Sequence, residues 1–547
     1  MDYKKLSELL FPNVSMTEQQ LEEKYPERGL KEGAVCTRMA PSPTGFVHLG
    51  NLIQGLTSER LAHQSGGVLF LRVEDTDQKR TVEGAVEALI DGVGHYGIKF
   101  DEGVTADGET GNYGPYRQRS RAEIYHVYAK RLVAEGMAYP CFCTEEELER
   151  NHALQEQNKE NFGYYGKWAV WRDRPIEDIE EQLKAGKPWV LRFRSNGSIE
   201  NKIKFTDLIK GTLELTENDI DHVLLKSDGI PTYHFAHAVD DHLMRTTHVV
   251  RGDEWLSTLP FHIQLFRALG FKVPKYLHIG PLMKMDGSSK RKLSKRKDPE
   301  LGLSYYKAQG FPTESVGEYL MTVLNSNYED WRRANPDTPK EQFKFSVKKM
   351  NPAGSLFDYM KLCDVSKNVI SKFSAEKVAH DVTEWAKEFD KELYDLLSRD
   401  EKYTVGIFSI DRGGKKPRKD LAKWNEVRDY ISYFFDETFE PCIPENVAPQ
   451  DVVRILKNYL WVYNQGADKD EWFADVKSIC HSVGFSPDVK AYKAEPDKFK
   501  GHVGDVSTVI RVAVTGRTNT PDLCAIMKLL GRVRVRDRIE EVISALQ

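Results

Sequence analysis

Two short stretches hold side chains whose type and spacing suit work on a polyphosphate. Residues 288–297 read SSKRKLSKRK, six basic residues in ten within a chain of formal net charge −5. Lys292 and Lys295 flank a buriable Leu293 and a loop-forming Ser294, and the Asp286-Gly287 pair ahead of them is a strong turn signal. A mobile loop of this kind brings two ammonium groups onto a triphosphate during reaction, where charge stabilisation counts most. The commoner meaning of such a run is a solvated face, and after that a targeting or nucleic-acid patch. The other stretch is APSPTGFVHLGN, residues 40–51. Pro41 and Pro43 stiffen it, while Gly45 and Gly50 let the backbone approach a ligand. The helix start beyond them offers unpaired N–H groups and a positive dipole end, and His48 can donate to a phosphate oxygen. Alone, this is equally a tight strand-to-helix turn with a surface histidine.

The surrounding elements decide whether these stretches can meet. AVCTRMAP and GVLFLRVED are short, apolar and β-branched, and predict buried strands. Between them Leu52, Ile53 and Leu56 share one helical face, and Gly66-Gly67 stops the helix. This is a βαβ unit, whose ligands belong at the carboxyl ends of its strands. HVLLKSDG and HVVRGDEW are expected to extend the same sheet. Residues 120–215 interrupt it as an inserted domain, and the last third reads as mainly helical. There Thr520 before Pro521 predicts a helix start and Gly531 a stop, followed by a face of Ile539, Val542, Ile543 and Leu546. At the other end, Thr17 with Gln20 predicts the cap of a short helix ended by Pro26.

Bulk properties set outer bounds. A 40% hydrophobic and 29% charged chain of 547 residues is ordinary for a globular protein of several domains. Seven dispersed cysteines suit a reducing cytoplasm. No apolar run approaches the roughly 20 residues of a membrane span, and no leader-like apolar core opens the chain. The negative charge gives no general attraction to DNA, so contacts with nucleic acid must be local.

Taken together, HLGN and KLSKR resemble the two signature motifs of the class I aminoacyl-tRNA synthetases. TRMAPSPTG, FLRVEDTD, GPYRQ, GIPTYHFAHAVDDH, VVRGDEW and VAVTGRTNTPDLCAIMKLLG narrow the resemblance to the bacterial form of glutamyl-tRNA synthetase. It covers the chain from about residue 35 onward. The fold it implies is an α/β Rossmann-like catalytic domain with an inserted acceptor-binding domain, followed by a mainly α-helical anticodon-binding region. The corresponding boundaries are an extension at 1–33, catalytic halves at 34–119 and 216–270, the acceptor-stem insertion at 120–215, a stem-contact region carrying KLSKR at 271–350, and the anticodon region at 351–547.

The resemblance also implies the site. Gly45, His48, Gly50, Asn51, Lys292, Ser294 and Lys295 would hold ATP, with His48, Lys292 and Lys295 in the catalytic role and Mg²⁺ shared among the phosphates. Arg38, Ala40, Ser42, Glu74, Tyr233, His237 and Arg251 would hold L-glutamate. Arg251 can pair bidentately with the side-chain carboxylate, whereas a glutamine amide would set donors against donors. His237 stands where many members have asparagine, and it adds a group able to titrate near neutral pH. Cys141-Phe142-Cys143 matches half of a zinc site found in some relatives, but Trp168 replaces a later cysteine, so no structural zinc is expected. Lys415, Lys416, Arg418 and Lys419 are candidate tRNA backbone contacts, with an exposed basic loop equally open. The implied partners are tRNA(Glu), or tRNA(Glu) and tRNA(Gln) in a non-discriminating enzyme, with a monomer as the working state and tRNA needed before activation. A glutaminyl enzyme, a truncated tRNA-modifying paralogue and a non-catalytic relative fit less well. Arg251, the long C-terminal part and the intact signature motifs speak against them in turn.

Overall fold

The computed structural model describes residues 1–547 apart from Thr44, Phe46, Gln78 and Arg80. The chain forms two compact units, residues 1–305 with 320–358, and residues 306–319 with 359–547.

In the first unit, β1 (Cys36–Met39) and β2 (Val68–Leu71) run parallel with Cys36 opposite Val68. β3 (Glu102–Thr105) adds in parallel and β4 (Gly108–Thr110) antiparallel. The crossover helix α3 (Leu49–Gln64) buries Leu52, Ile53 and Leu56 on the sheet, so its predicted face is the packed one. The polypeptide also supplies α1 (Tyr3–Leu10), α2 (Glu18–Lys24) and α4 (Ala85–Gly94). Thr17 and Gln20 form the reciprocal cap expected of α2.

The extension has a structural explanation that its sequence did not offer. Helix α1 packs against α5 (Ala122–Ala134). Arg28 makes a two-pronged pair with Glu102 at 2.8 and 3.1 Å, and the buried Tyr25 donates to the Gly114 carbonyl at 2.9 Å.

The chain continues through β5 (Ala138–Cys141), α6 (Glu145–Gln157), α7 (Ile176–Lys184), β6 (Val190–Phe193), β7 (Lys202–Asp207), β8 (Gly211–Thr216) and β9 (Val223–Leu225). β9 corrects the expectation for HVLLKSDG: it pairs antiparallel with β6 instead of joining the parallel sheet. Both Leu224 and Leu225 are buried, so this short apolar run carried no sign of which sheet would take it. Helices α8 (Tyr233–Leu243) and α9 (Leu259–Ala268) flank β10 (His248–Gly252), which runs parallel to β11 (Lys275–Ile279). HVVRGDEW also departs from expectation: β10 and β11 form a two-stranded sheet apart from β1–β4, linked to β1 by the bond from Thr247 N–H to the Cys36 carbonyl at 2.9 Å just before β10. A hairpin, β12 (Leu282–Asp286) with β13 (Ser289–Lys292), then carries the first of the lysines.

The second unit is helical around a core that includes Val378, Val382, Ile455, Val476, Val509 and Ile539. Its penultimate helix, Leu523–Leu530, is capped by Asp522, whose carboxylate accepts from Ala525 N–H at 2.9 Å. Thr520 is therefore not the cap: Arg511 engages its hydroxyl, which in turn donates to the Pro521 carbonyl. Gly531 ends the helix as expected, with φ +84°.

Candidate active site

His48 is the N-cap of α3, in extended backbone. Its Nδ1 accepts from Asn51 N–H at 3.3 Å, and Asn51 Oδ1 accepts from His48 N–H at 3.1 Å. A Cβ at Gly50 would lie 2.8 Å from the His48 ring. The H-x-G-N spacing is thus a reciprocal cap in which the glycine leaves room for the imidazole. A neutral ring accepting at Nδ1 carries its proton on Nε2, which suits it to donate to an anion. Burial holds the His48 pKa below the usual histidine range; Glu254 opposes this, and the charges of Lys295 and Lys292 add to it. Gly45 takes the left-handed φ of +78° that the turn requires. Pro41, Ser42, Gly45, His48 and Asn51 line a cleft of about 210 Å³ with Val86 of α4 opposite. Thr44 and Phe46 of the same turn lie outside the described residues.

The lysine run is built more firmly than the expected irregular loop. Met283 pairs with Lys292 and Asp286 with Ser289 around Gly287, whose φ is +61°. Leu293 is buried and donates its N–H to the Leu282 carbonyl at 2.9 Å. Asp298, only 1% exposed, accepts two guanidinium bonds from Arg291 at 2.6 and 2.8 Å and the Ser294 N–H at 2.8 Å. The basic run therefore contains one structural pin, Arg291, while the side chains of Lys292 and Lys295 are exposed. Just beyond, Gly302 bridges to His48, and Leu303 N–H donates to the Val47 carbonyl at 3.2 Å. The chain that follows the lysines is thus hydrogen-bonded to the turn that holds His48.

Arg38 on β1, Glu74 beyond β2, Tyr233 at the start of α8 and Arg251 on β10 come together at the carboxyl ends of the strands, with Ala40 and Ser42 just past β1. Behind them lies a buried ionic network. Asp241 accepts from Arg38 Nε at 3.1 Å and from Arg72 at 2.7 Å, while Asp240 accepts from Arg121, Gln118 and Tyr125. Arg72 also reaches Glu74 at 3.1 Å. Burial nonetheless pushes the Glu74 carboxyl up to about 7, against the pull of Arg72 and Arg38.

Arg251 differs from these arginines. It is 4% exposed, and its hydrogen-bond partners are all neutral: His278 Nε2 at 2.9 Å, His262 Nδ1 at 3.1 Å, and the Tyr233 hydroxyl and Trp255 carbonyl each at 3.4 Å. Among the described residues no carboxylate pairs with it. A buried guanidinium whose charge is uncancelled is costly, and a carboxylate ligand relieves that cost.

His237 does not titrate near neutral pH as its residue type suggested. It is fully buried, with Nε2 on the Tyr276 hydroxyl at 2.8 Å and Nδ1 2.7 Å from Asp241, and burial pushes its pKa down to about 3. Its partners in this structure are protein groups. Arg72, Asp240 and Asp241 are the residues sequence reasoning passed over. The signal was there: two adjacent acids in a helix with few other charges, and one arginine directly after the apolar run of β2. Cys141 and Cys143 both face the Tyr164 hydroxyl, at 3.4 and 3.5 Å, and among the described residues no group of three or more potential ligands is gathered for a metal. Lys415, Lys416 and Lys419 are exposed in the second unit, while Arg418 is paired with Asp420 at 2.6 Å.

A family model for the catalytic domain of class I tRNA synthetases (E and Q) matches residues 34–345. The chain belongs to that synthetase family. An anticodon-binding domain model matches residues 490–543 of the same synthetase chain. The glutamate–tRNA ligase of Acetivibrio thermocellus is 51% identical over 546 residues, covering 99% of this chain and all of its own. That of Clostridium perfringens strain 13 is 50% identical, covering 98% and 100%. A crystal structure of a glutamate tRNA ligase from Elizabethkingia meningosepticum, in complex with its amino acid, superposes with a TM-score of 0.76 at 24% identity, over 94% of this chain and all of that one. At that identity the superposition supports the fold, a class I catalytic domain with a helical C-terminal region.

Proposed function

We propose that this synthetase activates L-glutamate with ATP and transfers it to the 3′-terminal adenosine of tRNA(Glu). The observation that carries the reading is Arg251: a buried cation held by neutral partners suits the side-chain carboxylate of glutamate. Glu74 accepts from the α-ammonium and Arg38 helps hold the amino acid, with Ala40, Ser42 and Tyr233 around it. The α-carboxylate, ionised at neutral pH, attacks the ATP α-phosphorus; the bond to the β-phosphate oxygen breaks and pyrophosphate leaves. The adenosine 2′-hydroxyl then attacks the glutamyl carbonyl and AMP departs.

The protein's part is alignment and charge stabilisation. His48, Lys292 and Lys295 meet the phosphates, and the turn at Gly45, Gly50, Asn51 and Ser294 shapes their cradle. Mg²⁺ shared among the nucleotide's phosphates would enter with ATP as part of the substrate. The acceptor end of tRNA is assigned to the 120–215 insertion, and the anticodon to the helical region with Lys415, Lys416, Arg418 and Lys419 as backbone contacts. Aminoacylation with purified tRNA(Glu) and tRNA(Gln), and pyrophosphate exchange with and without tRNA, test this. Glutamylation of tRNA(Glu) is the expected result, and acylation of neither tRNA ends the proposal.

A further inference from the structure

Arg251 is gripped from two sides by imidazoles, and a guanidinium has no acceptor to offer them. Every Arg251–histidine contact is therefore an N–H of arginine given to an unprotonated ring nitrogen. His278 is the direct neighbour of Arg251 in the β10–β11 ladder and takes the Nε–H at Nε2, 2.9 Å away. Its proton must then sit on Nδ1, which donates to Asp207 at 2.7 Å. Asp207 is held in turn by the N–H groups of Ile209 and Lys210 at 2.9 and 2.8 Å. On the other side His262 of α9 takes a terminal N–H of Arg251 at Nδ1, 3.1 Å away, so its proton sits on Nε2 and goes to His234 Nδ1 at 2.8 Å. Both His262 and His278 are fully buried. The Tyr276 ring closes one face of the guanidinium, with its centroid 4.7 Å from Cζ.

We propose that His262 and His278 are positioning residues for glutamate selection, neutral acceptors that fix the plane of Arg251 while leaving its full charge for the substrate. The choice of imidazole matters. A carboxylate at either position would orient the guanidinium equally well, but it would cancel the charge that glutamate must meet. The two imidazoles take the Nε–H and one terminal N–H. Of the remaining terminal N–H groups, one on Nη1 makes the 3.4 Å contact to Tyr233 and one on Nη2 the 3.4 Å contact to the Trp255 carbonyl, so the Nη2 side is the least engaged and is the side on which a substrate carboxylate would be met.

This inference rests on the reading that Arg251 receives the glutamate side chain, and the test separates the two. The variants are R251Q, H262A, H262N, H278A and H278Q, with KM for glutamate and for ATP, kcat, and the glutamate-to-glutamine ratio of kcat/KM measured for each. Asparagine places an acceptor near the former Nδ1, and glutamine near the former Nε2. Loss of a charge-assisted acceptor is expected to raise KM for glutamate roughly tenfold to a hundredfold in each alanine variant. KM for ATP should stay within about twofold, and the amide variants should recover most of the loss. A carboxylate variant, H278E, is expected to bind glutamate more weakly than H278A. If R251Q leaves KM for glutamate unchanged, the reading of Arg251 fails and takes this inference with it. If R251Q raises KM but the alanine variants do not, or if the amides rescue nothing while melting temperatures stay at the parent value, the positioning role alone is wrong.

Discussion

At the scale of single residues the site works by sorting which charges are cancelled. Asp241 is shared by Arg38 and Arg72, and Asp240 lies 2.6 Å from Arg121, so these arginines are structural counterparts of acids. Glu74 stands between the two classes. Its folded pKa, pushed up to about 7, lies above that of an unfolded carboxyl, near 4.3. The folded protein therefore holds this proton more tightly, and Glu74 lowers stability progressively as pH rises from about 4.3 to about 7. An α-ammonium needs the carboxylate, so glutamate binding at pH 6 should release a proton and tighten as pH rises through about 7. Calorimetric titration at pH 6 in two buffers of different ionisation enthalpy would read the released proton. Its persistence in Glu74→Gln would move the effect elsewhere. Lys295→Ala carries a separate expectation: single-turnover adenylate formation falls about a hundredfold, while glutamate binding changes less than threefold. Unchanged activation would remove Lys295 from the chemistry.

The elements show why some of this was legible in sequence and some was not. HLGN could be located as a strand-to-helix turn, but its reciprocal cap was not foreseen, although His48, Gly50 and Asn51 lie within one helical turn and the cap is local. The lysines could be located but not the device that seats them, since the Arg291–Asp298 pin joins residues that both read as solvated charge. The parallel βαβ unit followed from its hydrophobic pattern. The partner of Val223–Leu225 did not, because two adjacent buried leucines fit either sheet. Least legible were His262 and His278, single histidines in apolar segments whose importance depends on Arg251 being brought between them. One prediction belongs at this level. Gly50→Ala adds a better helix former, worth roughly 1 kcal/mol in a helix interior, but its Cβ would meet the His48 ring at 2.8 Å. The melting temperature is expected to shift by no more than about 3 °C, while adenylate formation falls at least tenfold. A variant with normal activation would show that the cap geometry is dispensable.

Across the whole molecule, chain order and compact units do not coincide. Residues 306–319 belong to the helical unit although 320–358 return to the first, so no single cut separates the two. Within the helical unit Gly310 gives its carbonyl to Trp424 N–H at 2.9 Å, and Trp385 Nε1–H donates to the Lys307 carbonyl at 3.0 Å. A fragment of residues 359–547 should therefore melt several degrees lower alone than with a peptide of residues 303–319 added at saturating concentration. Equal melting curves would show that the borrowed segment contributes nothing. The uncancelled charge of Arg251 also reaches beyond catalysis. Glutamate binds only the folded state, so the substrate-free enzyme is the more easily unfolded form. Added glutamate is therefore expected to raise the melting temperature, and R251Q should lose most of that rise.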